Sequence, residues 1–372
     1  MNVQESVLDR YSAGAKSVQA TLCCPINYDS RLLEILPQEI VDKDYGCGDP
    51  SRYVREGDVV LDLGSGAGKI CYMAAQLVGE SGHVIGIDMN DDMLALARKY
   101  QADMAAKLGG NRVRFVKGYI QDLALSVDAL DHYLKDHPVR NSHDMARVES
   151  WKQRQRHEEP LIKSDSVDLV ISNCVLNLVG DHEKEQLLRE IFRVLKPGGR
   201  VAISDIVSDE PVPQHLKDDP ELWSGCISGA FHESGFAQAF RDAGFQCISY
   251  DKWDEKPWQV VEGIEFRSVT LTAVKGDPAE CLDYGHAVIY RGPFVSVTDD
   301  EGHVFYRGER MAVCERTFRF VTEGPLKNDF IGIAPSKRGE PRPWCAPEGT
   351  RRPASETKGG LVSGVCGSTS CC

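Results

Sequence analysis

The segment Val59-Val-Leu-Asp-Leu-Gly-Ser-Gly-Ala-Gly68 constrains the fold more than any other part of the chain. It reads as a buried strand that runs into a glycine turn and then a helix. Glycines let a backbone approach a ligand closely, and the start of the following helix offers unpaired N–H groups. The spacing is G-x-G-x-G, which departs from the G-x-G-x-x-G of nicotinamide dinucleotide sites. Asp88 ends the next apolar run, 20 residues after Gly68, where a carboxylate can accept from ribose hydroxyls. Met89 follows it, in a position to lie against a base.

The same rhythm continues downstream. Strands are expected at Val59–Leu63, Val84–Asp88, Val113–Lys117, Val167–Ser172 and Arg200–Asp205, with helices between them, notably Asp91–Leu108 and Asp181–Leu195. This alternation predicts an α/β fold with a parallel, doubly wound sheet. The interval between Tyr119 and Asp165 breaks the rhythm. Helical spacing of Val127, Leu130 and Leu134, and of Met145, Val148 and Trp151, makes it a solvated helical insertion on the rim of the sheet. Beyond Glu210 a helical stretch Glu221–Gly235 carries Cys226, a helix Phe236–Ala243 ends at Gly244, and strands follow near Cys247–Tyr250 and Ser268–Val274. His286–Tyr290, Phe294–Thr298, Val304–Arg307 and Arg316–Phe320 alternate like strands of a small β-rich appendix, with a turn at Asp299–Gly302. From Pro335 onward the chain is rich in Pro, Gly, Ser and Arg, lacks periodicity, and is expected to be disordered.

The balance of 43 basic against 56 acidic residues gives a net charge of −13, a surface that repels phosphate backbones and argues against nucleic acid as a partner. No run approaches the roughly 20 apolar residues of a membrane helix, and the N-terminus lacks the apolar core of a signal peptide. Thirteen cysteines, an odd number, without such a leader point to free thiols in a reducing cytosol. No paired C-x-x-C knuckle occurs, so no structural metal is expected. A cytoplasmic monomer is the expected state.

Three further segments complete the ligand side of the sheet. Gly118-Tyr-Ile-Gln-Asp122 follows the third strand, Ser166–Asn177 delivers polar residues at the end of the fourth, and Phe192–Ile203 is a helix end, a Pro-Gly-Gly turn and a strand. With the glycine loop these resemble the class I S-adenosylmethionine-dependent methyltransferases, a Rossmann-like fold, over about residues 50–275. The resemblance implies S-adenosylmethionine as methyl donor, held by Asp62, Gly64, Ser65, Gly66, Gly68, Asp88, Met89, Gly118, Ile120 and Asn173.

Four cysteines, Cys47, Cys71, Cys174 and Cys226, sit beside those segments. Methyl transfer normally needs no thiols around its acceptor, so a thiolate cluster next to a methyl donor suggests a soft metal or metalloid acceptor. A lone cysteine is more often a small buried hydrophobe, which suits Cys247, Cys281 and Cys314. Cys47 lies between Gly46 and Gly48 and is expected to expose its thiol at a turn. Cys174 is expected at the carboxyl end of the fourth strand, where open α/β sheets bind ligands, Cys226 beyond the fifth strand, and Cys71 beside the methionine end of the donor.

Tyr45-Gly-Cys-Gly48, the cysteine after the glycine loop, Ile171-Ser-Asn-Cys-Val-Leu-Asn-Leu178 and Cys226-Ile-Ser-Gly-Ala230 resemble the arsenite S-adenosylmethionine methyltransferases. The resemblance covers about residues 5–330 and implies methyl transfer to thiolate-bound trivalent arsenic, with arsenite and methylarsenite as substrates. It gives mono-, di- and trimethylated products and a role in arsenic detoxification. It implies that Cys174 and Cys226 bind arsenic, that Cys47 and Cys71 serve the first methylation, and that a Cys47–Cys71 disulfide is reset by thioredoxin or glutathione. The Cys23–Cys24 pair and the 121–165 insertion carry no assigned role.

The domains expected are an N-terminal segment 1–57 contributing Cys47, a donor-binding core 58–210, an arsenic-binding part 211–280 completing the sheet, a β-rich domain 281–334 and a cysteine-tipped tail 335–372. Two rival readings remain: a methyltransferase acting on carbon, nitrogen or oxygen of a small molecule, and a thiol protein that sequesters metalloid without catalysis.

Overall fold

The apolar run before the glycine turn is strand β1 (Val59–Leu63), hydrogen-bonded in parallel to β2 (His83–Asp88) on one side and to β4 (Val167–Asn173) on the other. In this computed structural model the described residues are 3–19, 26–43, 45–335 and 340–357. Cys23, Cys24, Cys366, Cys371 and Cys372 lie outside them. The chain forms two compact units, Met1–Gly276 and Asp277–Cys372.

In the first unit β3 (Val113–Lys117), β5 (Leu195–Ser208), β6 (Phe245–Trp253) and β7 (Ile264–Lys275) extend the sheet to the order β3-β2-β1-β4-β5-β7-β6, with two short strands alongside. Strands β1 to β5 are parallel, and β7 runs antiparallel to both neighbours. The order reverses between β1 and β4, which opens a crevice at their carboxyl ends. Helices cover both faces, so the inner strands are mostly apolar rather than alternating: Val60, Leu61, Leu63, Val170 and Ile171 are all fully buried. One face packs on Leu187, Ile191, Phe236 and Phe240, the other on Ile70, Met73, Leu94 and Met104.

Two helices differ from the sequence reading. The helix expected over Asp91–Leu108 is two, Asp91–Lys99 and Gln101–Leu108, broken at Tyr100, whose hydroxyl reaches Glu39 at 2.5 Å. The helix expected over Glu221–Gly235 stops at Ser224, because Gly225 caps it and Cys226 turns into left-handed backbone at φ 63°. The insertion forms helices Val127–Asp136 and Ser142–Glu158, which stack Tyr133 on Trp151 and anchor to the core through Arg156 and Asp122 at 2.8 Å.

In the second unit Ala287–Tyr290 pairs with Arg310–Ala312 and Phe330–Ile333, and Ser296–Thr298 pairs with Val304–Tyr306 across the expected turn. Val288, Phe305, Met311, Val321 and Phe330 form its core. Arg316–Phe320, expected as a strand, belongs to a helix, Glu315–Glu323. The Cys314 sulfur caps it by accepting the Thr317 N–H, Glu315 favours its positive end, and Thr317 and Val321, four residues apart, share its buried face. Part of the segment after Pro335 is ordered: Arg342–Pro343 pairs with Leu282–Asp283, and Ala354–Thr357 is a helical turn. Among the described residues no helix is long and apolar enough to cross a membrane.

Candidate active site

The glycine turn after β1 adopts positive φ at Gly64, Gly66 and Gly68, +65°, +50° and +85°. At Gly66 a Cβ would meet no atom within 4 Å, so the backbone there faces open room. The neighbouring Ser65 hydroxyl is buried with no hydrogen-bond partner among the described residues. Asp88 braces the turn, accepting the N–H groups of Gly66 and Asn90, each at 2.8 Å. Burial raises its carboxyl above the usual range, and those same bonds counter the rise.

The crevice beside this turn is lined by Asp62, Gly64, Ser65, Gly66, Asp88, Met89, Gly118, Ile120 and Asn173, all expected from the sequence. Gly68 does not line it. It starts the helix Lys69–Leu77, and a Cβ there would come within 2.7 Å of the Phe115 ring. The N-terminal helix Val3–Lys16, which the sequence reading left without a role, supplies Val7, Leu8 and Tyr11 to the wall. Asn90 ties it down by donating to the Leu8 carbonyl at 3.2 Å and to the Ser12 hydroxyl at 3.0 Å. An unpartnered hydroxyl and open space before a glycine backbone, beside a braced carboxylate, fit S-adenosylmethionine.

Cys174 also lines this crevice, and from there the sulfurs begin. Cys47 and Cys174 form a disulfide with Cα atoms 5.8 Å apart. The Cys47 thiol is therefore not exposed at a turn: Cys47 is fully buried. The flanking glycines serve close approach instead. A Cβ at Gly46 would stand 2.0 Å from the Asn173 side chain, and one at Gly48 would stand 2.3 Å from the Ser204 hydroxyl. The Asn173 Oδ1 accepts the N–H of Cys47 at 2.8 Å and that of Gly48 at 2.9 Å, while its Nδ2 donates to the Gly48 carbonyl at 2.8 Å. Ser268 fixes the other side, donating to the Cys47 carbonyl at 2.6 Å.

Cys226 Sγ donates to the Cys174 carbonyl at 3.2 Å, which brings a third segment to the same place. Cys174 and Cys226 both hold left-handed backbone, φ 60° and 63°, conformations that side chains with a Cβ seldom adopt. The Tyr11 hydroxyl contacts Cys226. Burial first, then the Cys226 sulfur, keeps it from ionising in the ordinary range. Asp205, at the far end of the predicted fifth strand, was given no role from sequence. Its carboxylate accepts the Leu176, Asn177 and Ile206 N–H groups at 2.9, 3.3 and 2.8 Å, and burial pushes its pKa up to about 6. One carboxylate oxygen and the sulfurs of Cys47 and Cys174 lie within 4.8 Å of one another.

Cys71 stands apart from this cluster. It is buried on the helix Lys69–Leu77 beneath the glycine turn, is not part of the crevice wall, and donates to Asp62 at 3.1 Å. Burial and then the Asp62 charge hold its thiol protonated. The partner of Cys47 in the structure is thus Cys174, not the Cys71 expected from the resemblance.

A family model described as a methyltransferase domain matches residues 55–150 and 139–256, and one described as a domain of unknown function, DUF8838, matches residues 277–362. The arsenite methyltransferase of Aquipseudomonas alcaligenes is 32% identical over 357 residues, covering 90% of this chain and 92% of its own. That of Mus musculus is 31% identical, covering 82% and 74%. The crystal structure of CrArsM, an arsenic(III) S-adenosylmethionine methyltransferase from Chlamydomonas reinhardtii, aligns at a TM-score of 0.56 and 29% identity, over 87% of this chain and all of that one. Sequence, fold and the thiol-flanked donor crevice agree, and the chain belongs to the arsenite methyltransferase family.

Proposed function

We propose that this enzyme transfers methyl groups to trivalent arsenic held by Cys174 and Cys226, with arsenite and methylarsenite as substrates and mono-, di- and trimethylated arsenicals as products. The observation that carries the reading is the meeting of Cys47, Cys174 and Cys226, from three separate segments, in one buried cluster at the wall of the donor crevice. In the reduced enzyme Cys174 and Cys226 displace hydroxide or glutathione from arsenic as thiolates. Their burial keeps water away from the metalloid, and the short link from Asn173 to Cys174 sets it beside the crevice.

Bound S-adenosylmethionine supplies an electrophilic methyl group. The lone pair of arsenic forms the new As–C bond as the sulfonium–methyl bond breaks and S-adenosylhomocysteine leaves, so the chain needs no general base, and none of its histidines is required near the acceptor. Each transfer raises arsenic formally from As(III) to As(V). Two electrons then return to arsenic as the Cys47 thiolate attacks the Cys174 sulfur, closing their disulfide and breaking the As–S bond to Cys174, and an incoming thiol replaces Cys226 on arsenic to free the product. A dithiol of the thioredoxin class, or two glutathiones, reopens it with two electrons and two protons. The Asn173 and Ser268 anchors keep Cys47 opposite Cys174 through that cycle. The outcome is an arsenic-detoxifying enzyme.

The test is to incubate the purified protein with S-adenosylmethionine, arsenite and a thiol, and to speciate arsenic by chromatography with elemental mass spectrometry. Methylated arsenic is the expected product. Tight arsenite binding without methylation would replace this reading with sequestration.

A further inference from the structure

The second unit gathers a separate set of thiols. Cys345 and Cys281 place their sulfurs 3.1 Å apart across 64 residues of sequence. Backbone pairing brings them together: Arg342–Pro343 lies antiparallel to Leu282–Asp283, and the Trp344 N–H donates to the Cys281 carbonyl at 2.8 Å. Cys345 is exposed and Cys281 half-buried, so a small molecule can reach the pair. His303 lies close enough to Cys345 to lower its thiol, and its Nδ1 rests on the Asp299 carboxylate at 2.8 Å. Asp299 also accepts the N–H groups of Glu301 and His303, at 3.1 and 2.8 Å, which fixes the ring.

Arg316, paired with Glu301 at 2.7 Å, adds a second positive charge beside the thiols, and Cys314 lies behind Cys281 as the cap of the helix Glu315–Glu323. The hydrogen bond with Cys281, and then His303, hold the Cys345 thiol below its ordinary range, while burial and the bond to Cys345 push Cys281 up to about 12. The two thiols share one hydrogen bond, and of the two Cys345 is the one that ionises first. The set does not close around one point as a tetrahedral metal site would, since no three of its ligand atoms lie within 4.8 Å of one another.

We propose that Cys281 and Cys345 form a redox-active dithiol, separate from the methyl-transfer site, that reduces low-molecular-weight disulfides. The Cys345 thiolate attacks one sulfur of the disulfide RSSR. The S–S bond breaks, one RS⁻ leaves, and a mixed disulfide remains on Cys345. Cys281 gives up its proton to the departing thiolate and attacks the Cys345 sulfur, expelling the second RS⁻. The dithiol loses two electrons and the disulfide gains them. His303, fixed by Asp299, acts as a positioning residue that keeps Cys345 ionised.

The test uses the full chain, reduced and freed of reductant, exposed to glutathione disulfide at neutral pH and mapped by peptide mass spectrometry. A Cys281–Cys345 disulfide should form, and Cys281→Ser should instead retain one glutathione on Cys345. His303→Gln should slow the attack on Cys345 several-fold while other thiols react as before. The proposal is overturned if Cys345 stays unmodified while other thiols react, or if the reaction at Cys345 proceeds equally fast in His303→Gln. Arsenite methylation plays no part in this readout, so the two readings stand or fall separately.

Discussion

The side chain of Asn173 holds the backbone of Cys47, accepting its N–H at 2.8 Å, and grips both polar groups of the adjacent Gly48. Asn173 therefore seats the cysteine loop as well as facing the donor crevice. Asn173→Ala removes three such bonds, each worth about 1 kcal/mol net, and should cost roughly 3 kcal/mol in chemical denaturation. Closure of the Cys47–Cys174 disulfide on air oxidation should slow in parallel. Closure at the wild-type rate would mean that the loop is seated by other contacts.

Cys174→Ser and Cys226→Ser should each abolish methylation through lost arsenic binding. In a single turnover Cys47→Ser and Cys71→Ser should lose activity on arsenite yet retain transfer to methylarsenite or an aromatic arsenite, which carry fewer exchangeable ligands, while repeated turnover should stop in Cys47→Ser because its disulfide with Cys174 can no longer close. Because Cys71 bonds Asp62 under the donor turn, its serine variant should also raise the KM for S-adenosylmethionine, whereas Cys47→Ser should not. Single-turnover assays with both acceptors decide the division, steady-state kinetics decide the KM, and equal single-turnover losses on every acceptor would refute the division.

Tyr11 meets Cys226 from the N-terminal helix, where its hydroxyl can donate to a thiolate. Tyr11→Phe should slow alkylation of reduced Cys226 by iodoacetamide several-fold with little change in melting temperature. Unchanged alkylation would show that the contact has no hold on the thiol.

Glu39 is held by Lys99 at 2.6 Å, Tyr100 at 2.5 Å and Lys43 at 3.0 Å, which lower its pKa from 4.5 to about 2, the Lys99 bond being the largest cause. A depressed carboxylate contributes stability that is present above pH 4.5 and lost as pH falls through about 2. Since the group is largely solvent-screened, the contribution should be about 1 kcal/mol at most, or roughly 2–4 °C of melting temperature. Glu39→Gln should lose that increment at neutral pH and show a correspondingly shallower decline between pH 4.5 and 2. Parallel wild-type and variant melting curves across that window would rule the effect out.

The inner parallel strands were legible because burial on both faces makes them nearly continuous apolar runs: Val59–Leu63 begins and ends where expected. The donor turn was legible because its glycines need positive φ. Arg316–Phe320 misled because its mix of polar and aromatic residues, Arg-Thr-Phe-Arg-Phe, also fits a short helical face, and the deciding cap lies in Cys314 just upstream. Gly-Cys-Gly reads as an exposed turn whenever the partner that needs the space is far away, here Asn173. Cys71 sits in the first turn of the helix after the glycine loop, where helix phase sends it beneath the loop, whereas Cys174 follows a strand end that opens onto the crevice. Tyr11 and Asp205 left no local signal, since their partners come from distant segments.

Cys174 and Cys226 hold their sulfurs on left-handed backbone, a conformation that costs a residue with a Cβ roughly 1–2 kcal/mol. Any ordinary replacement inherits that strain, whereas glycine escapes it. A glycine at either position would therefore relax the backbone while deleting the chemistry. Robustness and reactivity pull these two positions in opposite directions, and the thiols stand where the chain, left to local preference alone, would place no side chain.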